Sequence, residues 1–277
     1  MLKGINQWCY PDQTPIETVF EYSRDASFEA VELNLNEAGG IGLTVETTKE
    51  EALKIKALAE KYRIELRSLS TSLLWKMPLC SPDEQIRQQG IQVVKKMLEM
   101  ASYIGMDTIL LVPGAVSDQV SYEKCYKRSQ DSIRELIPKA EKYGVKMGIE
   151  NVWNKFLLSP LEMARYIDEF ESDYVGAYFD VGNVLQFGYP EQWIRLLGKR
   201  ILKVHVKDFN ISVGNGAGFV PLLAGDVNWK AVIEALREIG YEDTLTAELS
   251  PYSLCPHTLA DDTARHLDVI LKKMRSA

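Results

Sequence analysis

Four side chains able to hold a metal ion stand in near-identical local settings in the second half of the chain. Glu150 closes the run MGIE, Asp180 closes VGAYFD, His205 sits in ILKVHV and Glu248 in TLTAEL. Each run is short, apolar and rich in strand-forming residues, and each delivers one ligating group at or near its end. A lone Glu or Asp at a strand end ordinarily caps the next helix or faces water, and a lone His in an apolar strand ordinarily packs in the core. Four such groups on four successive strands are another matter, because an unpaired buried carboxylate costs several kcal/mol and a shared cation removes that cost. Three carboxylates and one imidazole form a hard, oxygen-rich set suited to one divalent metal ion, Mn²⁺ first, with Mg²⁺, Co²⁺ and Zn²⁺ also compatible.

Positioning four groups in this way requires a repeated architecture, and the chain has one. Candidate strands fall at 3–8, 30–35, 64–70, 108–113, 145–150, 175–180, 201–206 and 244–249. Helical periodicity occupies 48–62, 81–105, 122–144, 159–170, 190–198, 226–240 and 257–276. Ser81-Pro82-Asp83-Glu84 and Ser159-Pro160-Leu161-Glu162 read as helix starts, with a cap, a proline at the first helical position and acids in the first turn. Gly105, Gly144 and Gly240 each stand where a helix must stop before the next strand. Strands alternating with helices pair in parallel through right-handed crossovers. Eight units in 277 residues predict an α/β fold, a single (β/α)8 TIM barrel forming one domain over 1–277. No GxGxxG follows the first strand, which argues against a dinucleotide-binding sheet. In a barrel the C-terminal ends of the strands form the active face, where the four ligands fall.

Composition narrows the function further. Lys and Arg number 32 against 39 Asp and Glu, a formal charge of −7 without a basic run, which speaks against nucleic acid as a partner. No window approaches 18 apolar residues, so no membrane partner is expected. The N-terminus turns polar by residue 11 and does not read as a signal peptide. Cys9, Cys80, Cys125 and Cys255 are scattered, with no CxxC pair, as in a reduced cytoplasmic protein.

The combination IEN…YFDVGN…VHVKDF…GDVNW…LTAEL, with PLCSPDEQIRQQG after the third strand, resembles the xylose-isomerase-like sugar (phosphate) isomerase/epimerase superfamily. Within it the likeness is to ketose 3-epimerases and L-ribulose- or L-xylulose-5-phosphate 3-epimerases. The resemblance implies that Glu150, Asp180, His205 and Glu248 are the metal ligands, and that Glu150 and Glu248 double as the catalytic acid/base pair. It also implies a homodimer or homotetramer acting on a small-molecule sugar or sugar phosphate. Epimerising a carbon beside a carbonyl needs a proton removed from one face and returned to the other, which two opposed carboxylates can do. A divalent ion between them would polarise the carbonyl and stabilise a cis-enediolate.

The chain departs from the free-ketose enzymes of that superfamily. Where they carry a further Glu six residues after the strand-5 Glu, this chain has Phe156; a His three after the strand-6 Asp becomes Asn183; an Arg six after the strand-7 His becomes Ile211. Asn154 and Asn183 are candidates to hydrogen-bond a polyol instead. Lys207, on the same strand face as His205, reaches either a substrate oxygen or a rim carboxylate such as Asp208. Trp8, Trp75 and Trp153 wall a substrate pocket or pack under loops, and Glu32 points either into the barrel or away from it. The Gly-rich segment DFNISVGNGAGFVPLLAGDVNW, with Gly214, Gly216 and Gly218, reads as a lid or, more weakly, a phosphate site. His257 and His266 read as structural or surface residues.

The same metal set would also serve an aldose–ketose isomerase or a polyol-ketone dehydratase. A non-catalytic sugar binder has no need of two opposed bases. The superfamily's abasic-site endonuclease uses three ions and many histidines, which three His and an acidic chain do not match.

Overall fold

The computed structural model describes residues 1–273. Among them eight parallel strands carry the architecture: β1 (Leu2–Asn6), β2 (Ala30–Asn36), β3 (Ser68–Ser70), β4 (Thr108–Leu111), β5 (Lys146–Glu150), β6 (Val175–Asp180), β7 (Ile201–Val206) and β8 (Thr244–Ala247). Each pairs with its sequence neighbour, and β1 pairs with both β2 and β8, so the sheet closes on itself as a (β/α)8 barrel. Helices follow the strands on the outside: α1 (Ile16–Asp25), α2 (Lys49–Tyr62), α3 (Glu84–Ile104), α4 (Tyr122–Tyr143), α5 (Pro160–Asp168), α6 (Pro190–Leu197), α7 (Trp229–Glu238) and α8 (Thr258–Asp268). None is long and apolar enough to cross a membrane.

All eight expected strands are present, with adjusted ends. β3 shrinks to three residues, and β8 stops at Ala247, although the Glu248 N–H still donates to Val206 O at 3.1 Å and continues the ladder by one rung. Helix α1 was not among the expected helices. Its apolar set, Ile16, Val19 and Phe20, is buried, but the element is short and Pro15 before it supplies no side-chain cap. Helix α3 starts later than Ser81-Pro82 suggests, because Asp83 is the better cap and takes the N–H groups of Gln85 and Ile86. Ser159 caps α5 as expected, with Pro160 in its first turn. Gly105 and Gly144 end α3 and α4 in the left-handed conformation. The final helical expectation, 257–276, is met by α8 and a π-helical turn over Val269–Lys273; residues 274–276 lie outside the described residues.

The strand alternation produces a barrel unlike an ordinary apolar core. Val31, Leu33 and Leu35 face the helices, whereas Glu32 and Asn34 face the lumen. Asn6, Ser68, Ser70, Tyr178 and His205 join them in one buried hydrogen-bonded layer. Below it Lys203, also buried, closes the N-terminal end against Asp107 at 2.9 Å and Asp243 at 2.6 Å. Above it, at the C-terminal rim, lies the candidate site. Along β7 and the residue just past it, the three levels read as Lys203, His205 and Lys207, spaced by two.

Candidate metal centre

Register places the four candidate ligands. Glu150 is paired with Tyr178 across β5 and β6, and Asp180, two residues on, is paired with His205 across β6 and β7. His205 is in turn paired with Thr246 on β8, so Glu248, two residues further, rises to the same rim. Paired residues of parallel strands share a face, which sends all four side chains into the lumen. One ligating atom from each of Glu150, Asp180, His205 and Glu248 lies within 4.8 Å of the other three.

Each group is held by local structure. Asp180 caps the one-turn helix Val181–Val184, its Oδ1 accepting the Asn183 N–H at 2.7 Å, so it takes the ordinary capping role and still has a second oxygen to offer. That Oδ2 is buried and receives no hydrogen bond; its partner is the Lys207 ammonium at 3.1 Å. Asn151 clamps the Asp180 backbone from both sides, accepting its N–H at 2.9 Å and donating to its carbonyl at 2.8 Å. His205 Nδ1 lies 3.4 Å from Glu150 Oε1 and 3.3 Å from Glu248 Oε2, while Nε2 lies 2.7 Å from Glu32 Oε1.

The charges are far from balanced. Among the described residues, Glu32, Glu150, Asp180 and Glu248 face only His205 and Lys207 as cationic partners. Burial pushes Glu150 up to about 7, with Glu248 adding to the rise and His205 and Lys207 opposing it. Burial also raises Asp180 against the pull of Lys207. Burial would raise Glu248 too, but the Lys207 ammonium and His205 outweigh it and hold that carboxyl well below its usual range. His205 and Lys207 are both raised despite burial, by Glu32 and Glu248 in the first case and by Asp180 and Glu248 in the second. A buried carboxylate oxygen that accepts no hydrogen bond, a carboxyl driven toward its neutral form and an imidazole nitrogen aimed between two glutamates are what a shared dication would reconcile. The donor set therefore fits a divalent metal ion.

Glu248 and Lys207 open onto a cavity of about 370 Å³, whose walls include Trp8, Phe219, Pro221, Leu249 and Tyr252. Trp153 packs instead against Phe209 and Phe219, with ring centroids 5.3 and 5.2 Å away, and donates Nε1–H to Asn183 O. Trp75 is half exposed and is not part of that wall. Asn154 donates to Gly114 O at 2.6 Å and accepts the Phe156 N–H at 3.1 Å, and Asn183 donates to Asn151 O at 3.0 Å, so these amides tie rim loops to one another. Lys207 does not pair with Asp208. It lies 2.5 Å from Glu248 Oε2, while Asp208 is fully buried and accepts the N–H groups of Leu223 and Val227 and the Trp229 indole. Asp208 thereby anchors the Gly-rich segment, whose first half folds back as an antiparallel ribbon, Asp208–Phe209 with Phe219–Val220. Exposed Gly214 and Gly216 lie between those strands, and Gly216 lines the cavity. His257 stacks on Tyr22 away from the site.

Glu32 does point inward. Its buried carboxylate touches His205 directly, and its neighbours Asn6, Ser68 and Tyr178 were not among the expected site residues. Their signal was present as polar residues at two-residue spacing inside otherwise apolar strands, Glu32/Asn34 and Ser68/Ser70, visible as inward-facing only once the register is known.

Known proteins place this architecture. The chain is 23% identical to the L-ribulose-5-phosphate 3-epimerase UlaE of Salmonella typhimurium over 256 residues, 92% of this chain and 88% of that one. Among solved structures, a D-psicose 3-epimerase with D-tagatose from Clostridium cellulolyticum H10 superposes over the full length of both chains with a TM-score of 0.83 at 16% identity. The IOLI protein with a bound zinc atom does so over the full length of both at 0.80 and 19%. These two likenesses speak to the fold. A match to a family description covers residues 20–272, from inside α1 to the last described turn, and with that span the chain belongs to the xylose isomerase-like TIM barrel family.

Proposed function

We propose that the protein is a divalent-metal-dependent 3-epimerase of a ketose or ketose phosphate, with Mn²⁺ as its ion, acting as a homodimer or homotetramer. The reading rests above all on one observation: Glu150 and Glu248, from opposite ends of the four-strand set, flank the same imidazole nitrogen, and Glu248 opens onto a cavity walled by Trp8 and Tyr252. Similarity to a sugar-phosphate 3-epimerase over most of both chains supports the substrate class. Exposed Leu158, Leu161, Phe187 and Tyr189 give an assembly apolar surface to cover.

Glu150, Asp180, His205 and Glu248 would hold the ion, which when bound supplies Lewis-acid polarisation of the substrate carbonyl. The remaining work falls to side chains. Glu248 takes the proton from C3 on the face it borders, and Glu150 returns one to the opposite face through a carboxylate oxygen that does not hold the ion. Epimerisation of the product reverses the roles. Lys207, between Asp180 and Glu248 and open to the cavity, is the cation we assign to a substrate oxygen, and Trp8 walls the carbon skeleton. Asn154 and Asn183 act one step back, fixing the loops that carry Trp153 and Asp180.

Protein stripped with chelator and reloaded with Mn²⁺, incubated in D₂O with a panel of ketoses and their phosphates, provides the test. Deuterium at C3 together with the C3 epimer is the expected result and names the substrate. Label at C1 or C2 with an aldose product would replace the epimerase by an isomerase, loss of water by a dehydratase. Metal-independent binding without exchange on any member would sink the enzymatic reading.

A further inference from the structure

Glu32 is buried inside the barrel, where an ionised carboxylate is tolerated only with full compensation. Four donors supply it. Asn6 Nδ2 donates to Oε1 at 2.5 Å, Ser68 Oγ to Oε2 at 2.5 Å and the Tyr178 hydroxyl also to Oε2. The fourth, His205 Nε2, lies 2.7 Å from Oε1. The first three are each fixed by something else. The Asn6 side-chain Oδ1 accepts the Trp8 N–H at 2.7 Å, Ser68 and Tyr178 contact each other at 3.1 Å, and the Tyr178 ring lies against the His205 ring with centroids 4.6 Å apart. A carboxylate surrounded by donors has only acceptor capacity to offer the imidazole. Nε2 must therefore carry a proton, and Nδ1, between Glu150 and Glu248, is left as the ligating nitrogen.

Resting on the metal reading above, we propose that Glu32 is a positioning residue that sets the metal centre from outside it: by accepting Nε2–H it fixes the tautomer and rotation of His205, so that the ring offers Nδ1 to the cation. Asn6, Ser68 and Tyr178 hold Glu32 and make β1, β2, β3 and β6 part of a centre whose ligands come from β5 to β8. Groups that orient a metal-bound histidine in this way typically change metal affinity by about 10–100-fold when removed.

Two measurements on the full-length protein test this. The first is Zn²⁺ and Mn²⁺ affinity by competition with a chromophoric chelator, for wild type, Glu32→Gln and Tyr178→Phe, each checked for folding by circular dichroism. Glu32→Gln should weaken both ions about 10–100-fold, and Tyr178→Phe, which leaves the carboxylate on His205, by less than about threefold. The second needs no variant: ¹⁵N-histidine NMR of the Zn²⁺-loaded wild type, where the chain's three His make assignment tractable. His205 should be ligated through Nδ1 and protonated at Nε2. Ligation through Nε2, or a folded Glu32→Gln protein that binds both ions as wild type does, overturns the role of Glu32 and leaves the metal centre standing. A wild type that binds neither ion removes the metal reading and this inference with it.

Discussion

Glu150 and Glu248 flank one imidazole nitrogen but sit in different fields, and the difference has a measurable sign. Glu150 holds a proton up to about pH 7 in the metal-free protein, and that proton competes with the ion. His205 is raised as well and must shed a proton to ligate, so metal affinity should rise with pH more steeply below about pH 7 than above it and should not flatten at 7, a profile that chelator competition at a series of pH values would trace. The Glu150 shift also bears on stability. The folded state keeps a proton that the unfolded chain releases from about 4.5 upward, so this stabilisation is full below that value and is lost as pH rises through about 7. Lys207 acts in the opposite sense to a ligand, since its ammonium partly neutralises Asp180 and Glu248. Lys207→Gln should tighten Mn²⁺ binding by about tenfold or more while lowering turnover, because a cation near two ligating carboxylates repels a second one. Equal or weaker metal binding in that variant would show that Lys207 organises the carboxylates more than it competes for them. Separate Glu150→Gln and Glu248→Gln variants should each abolish epimerisation, with proton exchange surviving in one variant for one epimer only. At this scale the four clustered groups were legible because each lies within one residue of a strand's end. The roles of Glu32 and Asp208 were not, because each is set by partners far along the chain, His205 for one and the Leu223–Trp229 stretch for the other.

Elements carry the site only where they approach closely enough. The turn after β6 passes against the stem of Lys207 at Gly182, where a Cβ would lie 2.8 Å from Lys207 O and overlap its Cγ. Gly182→Ala should cost about 1–3 kcal/mol by overpacking and displace Lys207 from Glu248. Denaturant unfolding would read the first effect, and a changed Mn²⁺ affinity the second. The same logic explains which elements could be read from sequence. Strands β5 to β8 each combine an apolar run with a chemical terminus, and α3 and α4 end in glycines that adopt positive φ. Helix α1 has neither a capping side chain nor a glycine stop, and its C-terminal cap is Ala26 in a right-handed conformation. Its existence follows from the need to cross from β1 to a parallel β2 more than from its own residues.

At the scale of the whole barrel, the two ends divide the labour. The C-terminal rim gathers carboxylates that repel one another, whereas the N-terminal end pairs Lys203 and Arg67 with Asp107 and Asp243 in a closed ionic seal. Conserving chemistry at one end and stability at the other is the pattern expected of this fold. It was legible in outline from eight strand–helix units, but the polar filling of the lumen was not, since inward and outward positions separate only when the strands close into a ring. The division predicts independent responses to metal and to mutation. A ligand bound by the folded state alone stabilises it by about 2.7 kcal/mol at a hundredfold excess over its dissociation constant. For a chain of this length that amounts to about 5 °C in the melting temperature. Wild type should show that shift on adding Mn²⁺ after chelation, and Glu150→Gln and Glu248→Gln should lose most of it. Asp243→Asn, which leaves the buried Lys203 with a weaker partner, should lower the baseline stability by about 1–3 kcal/mol yet keep the full metal-induced shift. A variant at the seal that also lost the metal shift would mean that the two ends are coupled through the polar layer of Glu32, His205 and Tyr178, and that the barrel responds to its ion as one body.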